Sequence, residues 1–191
     1  MIVYIEGVDG SGKSTFAKAI TEFLQEKEFD VYPNAEELMV THPWRVDRIA
    51  NKEQLSFKLR SCLTSDKIFI VDRGELSDII YRTFDFDKHS ALMTLDEFYK
   101  LYQMYSHRYI IVHCDTNQSE QLMLNRGEDN HVSITEHQKL RYLFNQIMPL
   151  FNARKYDAAE SMKNPDYLPT ILADIRITLL WRGAIDNGQF R

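Results

Sequence analysis

Gly7, Gly10, Gly12, Lys13 and Ser14 stand in the spacing Gly7-x4-Gly12-Lys13-Ser14, the Walker A pattern, and each residue type has a task in holding a polyphosphate. The glycines permit backbone turns that aim successive N–H groups inward around Ser11, and a helix opening at Lys13 adds the partial positive charge of its N-terminus. A cage for anionic oxygens results. Lys13 would reach the β and γ phosphates and follow charge onto a migrating phosphoryl group, Ser14 would ligate Mg²⁺, and Thr15 would back the nucleotide from the second helical position. The competing reading is an incidental Gly-Ser turn before a helix; an apolar strand on one side and a helical pattern on the other argue against it. The loop implies nucleotide binding and leaves the acceptor open, since motor proteins, GTPases and transport proteins share it.

A second group of chemically capable residues closes the apolar run 67–72. There Asp72 can hold a magnesium-bound water, and Arg73 can clamp an acceptor phosphate bidentately. The blander reading is a surface Asp-Arg pair at a strand end. Arg45 and Arg48 are candidates for contacts to the acceptor base or phosphate, or else solvated helix-face charge. Trp44 and Phe57 could stack a base, although aromatics belong more often to a core. His113, in an apolar run, reads as a core histidine, and Tyr99, Tyr102, Met104 and Tyr105 read as a packed helix face.

These residues need elements to place them. Apolar runs predict strands at 2–5, 67–72 and 109–114, with a short one at 30–32. Helical spacing of apolar residues predicts helices over 13–27, from 53, over 77–84, 95–105, 120–124 with Asp115-Thr116 as N-cap, 134–152 ending near Pro149, and 168–181. Residues 126–131 break the pattern as a polar loop. Strands alternating with helices predict the α/β class: a P-loop NTPase three-layer sandwich, with a five-stranded parallel sheet, helices on both faces and a short lid, as one domain over 1–191. In such sheets ligands sit at the carboxyl ends of the strands, where both groups of residues fall.

The chain has 191 residues, 44% hydrophobic and 27% charged, proportions of a soluble globular domain. A net charge of −5 speaks against binding polymeric nucleic acid, which needs a broad basic surface, but suits a small anionic substrate held by a few local cations. Cys62 and Cys114 are too few and too distant for a zinc site or disulfide framework, and read as reduced core thiols of a cytoplasmic protein. No membrane span or signal peptide is expected.

Glu6-Gly7-Val8-Asp9-Gly10-Ser11-Gly12-Lys13-Ser14-Thr15 resembles the opening of thymidylate kinases, and Asp72-Arg73-x3-Ser77-x3-Tyr81 is similar to their acceptor-side segment. Arg126, in a polar loop before a long helix, resembles the lid region of that family, at about 126–133 here. Tyr156-Asp157-Ala158-Ala159 resembles the adenine-side turn. The resemblance implies ATP as phosphoryl donor with Mg²⁺, a deoxynucleoside monophosphate as acceptor, and a homodimer. It implies that Asp9 meets the sugar 3′-hydroxyl, Arg73 holds the 5′-phosphate, Tyr81 packs on the deoxyribose, and Lys13, Arg73 and Arg126 serve as the catalytic cations. Catalysis would then be mostly positioning and charge neutralisation, with no covalent protein nucleophile.

Two departures fall on the acceptor side. Thr41-His42-Pro43-Trp44-Arg45 stands where the family carries Arg-Glu-Pro-Gly, and Arg82 stands where a Gln is common. Arg126 is the sole Lys or Arg of residues 125–131. Such an altered acceptor segment suits a viral nucleotide-supply setting. The expectation is transfer of the ATP γ-phosphoryl group to dTMP or a related deoxynucleoside monophosphate. A deoxynucleoside kinase is the alternative; those enzymes carry Glu-Arg-Ser where this chain has Asp72-Arg73-Gly74. A nucleotide-binding switch that ignores monophosphates is a third reading.

Overall fold

The computed structural model describes residues 1–33, 52–82, 92–125 and 133–186. Among them the chain runs β1 (Ile2–Glu6), α1 (Lys13–Glu26), β2 (Val31–Tyr32), α2 (Lys52–Thr64), β3 (Ile68–Asp72), α3 (Glu75–Arg82), α4 (Leu95–Tyr105), β4 (Tyr109–Cys114), α5 (Ser119–Asn125), α6 (Ile134–Ile147), β5 (Arg154–Tyr156), α7 (Ala158–Lys163) and α8 (Tyr167–Asp186). The strands form one five-stranded sheet in the order β2-β3-β1-β4-β5, every pairing parallel. This is the α/β architecture expected from the alternating pattern.

The three layers follow from the period of two along each strand. Ile2 and Tyr4 of β1 face a cluster with Leu55 and Leu59 of α2, Leu76 and Ile80 of α3, Phe98 of α4, and Leu140 and Phe144 of α6. Val3 and Ile5 face the other way, onto Phe16, Ile20 and Leu24 of α1 and Leu172, Ile175 and Leu179 of α8. The central strands β1 and β4 are buried along their whole length, so their near-continuous apolar sequences are what a two-sided core requires. Because β1 pairs with β3 on one edge and β4 on the other, the turn after β1 lies at the switch point of the sheet, the place where open α/β sheets bind ligands.

Several expectations need correction, while those for Cys62, Cys114 and His113 as core residues hold. The fifth strand, β5, follows no apolar run: two of its three residues are Arg154 and Lys155, and only its pairing with β4 makes it a strand. Of Asp115 and Thr116, only Thr116 acts at the start of α5, where its hydroxyl accepts from Gln118 N at 3.4 Å and its carbonyl from Ser119 N at 3.2 Å. The Asp115 carboxylate is instead committed to Arg141 and Lys155. The predicted helix over 134–152 stops at Ile147, where a short 3-10 turn over 148–151 takes in Pro149. Phe57 belongs to no core, being 73% exposed, and of the tyrosine-rich face of α4 Tyr102 is buried whereas Met104 is 69% exposed. Cys62 and Cys114 are both buried and free. His113 is buried, stacked on Phe144 at 6.0 Å, and its burial pushes its pKa down to about 4. Trp44 and residues 126–132 lie outside the described residues. Within those described, no helix is long and apolar enough to cross a membrane.

Candidate active site

The turn from β1 into α1 is built so tightly that some of its positions leave no room for a side chain. Gly7 has φ +146, and a Cβ there would lie 2.2 Å from the carbonyl oxygen of Cys114; at Gly10, φ +74, it would lie 2.3 Å from that of Ser119. Both are contacts with backbone, which cannot move aside, so the chain must be glycine where the loop rests on the end of β4 and the start of α5. The Lys13 side chain is buried under the loop, with its Nζ donating to Val8 O at 2.6 Å. Burial, helped by the charge of Arg73, pushes the Lys13 ammonium down to about 8. Ser11 is buried with its hydroxyl unpartnered among the described residues, and Thr15 is exposed one step beyond Ser14.

Ser14 and Asp72 meet where β3 ends beside the loop. Ser14 Oγ donates to Asp72 Oδ2 at 2.8 Å, and Asp72 Oδ1 is buried with no hydrogen-bond partner among the described residues. A hydroxyl and a carboxylate with a spare buried oxygen form a donor set of hard oxygens. It suits Mg²⁺, which takes one or two protein oxygens and completes its shell with phosphates and water.

On the other side of the loop, Asp9, Arg73 and Tyr81 come together from the loop itself, the end of β3 and the last turn of α3. An Arg73 guanidinium nitrogen is paired with Asp9 Oδ1, Tyr81 donates its hydroxyl to Asp9 Oδ2 at 3.2 Å, and the guanidinium lies 5.3 Å from the centre of the Tyr81 ring. Arg73 has φ +69, a left-handed conformation that costs a non-glycine residue about 1–3 kcal/mol. Its N–H donates to Ile5 O at 3.0 Å, which ties the strained residue to β1 and keeps its side chain over the loop. Burial works to raise the Asp9 pKa, but Arg73 and Lys13 outweigh it and hold Asp9 below the ordinary carboxylate value. Burial likewise opposes the charge of Arg73, yet Tyr81 and Asp9 hold its pKa above that of a free arginine. Arg82, the residue found where a Gln was expected, is drawn into an ion pair with Asp78 one turn back at 2.6 Å.

Comparison with known proteins adds one finding about the fold. No family model matches the chain, and no curated protein matches it. Among solved structures it resembles the YorR protein from Bacillus subtilis in complex with phosphorylated GDP, with a TM-score of 0.62 and 17% identity, over 93% of this chain and 94% of that one. The chain has a P-loop NTPase-like fold.

Of the residues singled out from sequence, Gly7, Asp9, Gly10, Ser11, Gly12, Lys13, Ser14, Asp72, Arg73 and Tyr81 gather at this sheet edge. Arg45, Arg48 and Arg126 lie outside the described residues. The structure adds residues that sequence reasoning passed over. Glu6, fully buried at the end of β1, accepts from Gly74 N at 3.1 Å and from the Ser77 hydroxyl, while Glu75 accepts from the Tyr4 hydroxyl. Burial pushes both carboxyls up to about 7. The signal was present in the charge of Glu6, an acid ending an otherwise apolar strand. Arg141 of α6 grips Asp115 through Nε at 2.5 Å and Asn117 through Nη2 at 2.7 Å, and Lys155 joins at 3.1 Å. His137 of α6 reaches the loop itself, with Nε2 2.9 Å from Asp9 O.

Proposed function

We propose that the protein is a phosphotransferase that moves the γ-phosphoryl group of ATP onto a deoxynucleoside monophosphate, dTMP or a close relative. The observation that carries this reading is the Asp9–Arg73–Tyr81 cluster set against the phosphate loop, with Arg73 held in a left-handed backbone conformation to keep it there. Strain maintained at a residue that can clamp a phosphate is consistent with an acceptor site. YorR, whose fold is similar, was solved with phosphorylated GDP, and that supports a nucleotide as ligand here.

In the proposed reaction the loop N–H groups and Lys13 hold the triphosphate of the donor. Lys13 gives up Val8 O to follow the moving phosphoryl group. Mg²⁺, when bound by Ser14 and Asp72, would neutralise phosphate charge. Arg73 exchanges the Asp9 carboxylate for the acceptor phosphate, which frees Asp9 to accept from a sugar hydroxyl while Tyr81 covers the sugar. Catalysis then rests on alignment and charge neutralisation, with Arg126 as a further cation. A homodimer is proposed on the same footing.

Incubation with ATP, Mg²⁺ and a panel of nucleosides and deoxynucleoside monophosphates tests the reading. A diphosphate product from dTMP or another deoxymonophosphate is expected. Conversion of a nucleoside to its monophosphate would instead identify a deoxynucleoside kinase, and inactivity across all monophosphates would reject the proposal.

A further inference from the structure

His137 is 1% exposed, and its Nε2 lies 2.9 Å from the main-chain oxygen of Asp9. A carbonyl oxygen only accepts, so Nε2 carries the proton of this bond. The other ring nitrogen, Nδ1, is buried with no hydrogen-bond partner among the described residues. Burying an unpaired polar atom is destabilising, and a Leu or Phe at this place would fill the space without that penalty. Packing alone therefore gives no reason for a histidine, whereas the bond from Nε2 does.

The bond has a direct geometric effect on the loop. Asp9 C=O and Gly10 N–H belong to one planar peptide unit, and the described chain contains no cis peptide, so the two groups point in opposite directions. Holding the carbonyl toward α6 holds the Gly10 N–H on the opposite side. α6 can serve as a fixed support because Leu140 and Phe144, one and two turns further on, are buried in the core under β1 and β4. The preceding carbonyl, Val8 O, is held by Lys13, but Lys13 must leave it to reach a phosphate. His137 can stay in place.

We propose that His137 is a positioning residue of the phosphate loop, whose Nε2–H fixes the Asp9–Gly10 peptide so that the Gly10 N–H is presented to a bound polyphosphate. The inference rests on the reading of the loop as a nucleotide triphosphate site. Calorimetric titration with Mg-ATP and with inorganic tripolyphosphate, on wild type, His137→Leu, His137→Phe and His137→Gln, tests it alongside their thermal midpoints. Loss of one hydrogen bond predicts roughly tenfold weaker binding of both probes by the Leu and Phe variants. Removing the unpaired Nδ1 and unpairing Asp9 O act on the midpoints in opposite directions, so both variants should remain folded at the titration temperature. The Gln variant, whose amide N–H can replace Nε2–H, should recover most of the affinity. Unchanged binding in a folded Leu or Phe variant would overturn the role, as would equal losses in Gln and Leu. If wild type binds neither probe, the reading of the loop itself fails; if wild type binds and the variants bind alike, only the role of His137 does.

Discussion

The glycine-rich loop between β1 and α1 and the Asp9–Arg73–Tyr81 corner, proposed to hold donor phosphates and acceptor, meet at Asp9, yet they are made of different material. The loop is main chain: its demands on sequence are the lack of a Cβ at Gly7 and Gly10, one lysine and one hydroxyl. The corner is side chain: a carboxylate, a guanidinium and a phenol from three separate elements, held by an ion pair, a hydrogen bond and a ring contact. A cage of backbone N–H groups binds any polyphosphate of the right shape. A corner of side chains can be retuned one residue at a time. The donor half should therefore fail abruptly and the acceptor half by degrees.

The largest expected effect is at Lys13. Lys13→Met keeps the length and apolar character of a side chain buried beneath the loop and removes its charge. Loss of one preorganised group facing transition-state charge predicts a fall in kcat of about 10³-fold. Steady-state kinetics on a variant shown by circular dichroism to be folded measures it. A variant that retains a tenth of wild-type turnover would mean that the loop does not carry the chemistry.

Arg73→Lys separates the two halves. A lysine keeps the charge but loses the planar fork that engages Asp9 now and would engage a phosphate in the proposed complex. Losing one charge-assisted hydrogen bond of that fork, about 1.5–3 kcal/mol, predicts a loss of about 10- to 10²-fold in kcat/KM for the monophosphate. The KM for ATP should move less than about threefold, as for a group that does not touch the donor. Equal changes for both substrates would dissolve the distinction between loop and corner.

The same difference explains what could be read in the sequence. The loop was legible because its residues are contiguous and each type is dictated by a local constraint. Asp72 and Arg73 were legible because an apolar run announces the strand whose end they mark. Gly74 reads differently in three dimensions. A Cβ there would lie 2.3 Å from the Tyr4 ring, so the bulk of Tyr4 accounts for the glycine, which then carries no information about the acceptor. β5 escaped because an edge strand of three residues with two charges has no apolar signature. The contacts of Asp115 with Arg141, and of His137 with Asp9 across 128 positions, exist only once α6 is laid over the sheet, and no local pattern encodes them.

Beneath the corner lies a third region, and it gives the smallest of these effects. Glu6 and Glu75 are buried side by side with the Ser77 hydroxyl, Gly74 N and the Tyr4 hydroxyl as their hydrogen-bond donors. Burial raises both from an ordinary value of 4.5 to about 7. Between those values the folded state binds more protons than the unfolded chain, so stability falls as pH rises: the contribution is fully present below pH 4.5 and is lost as pH passes 7. Glu75→Gln keeps the shape and an oxygen to accept from Tyr4, and cannot ionise. Denaturant unfolding from pH 5 to 8 should show a shallower decline for this variant, with stability at pH 8 about 2 kcal/mol above wild type. The residual slope would belong to Glu6. An unchanged slope would mean that the donors around Glu75 offset its burial, and that the corner stands on an ionised floor.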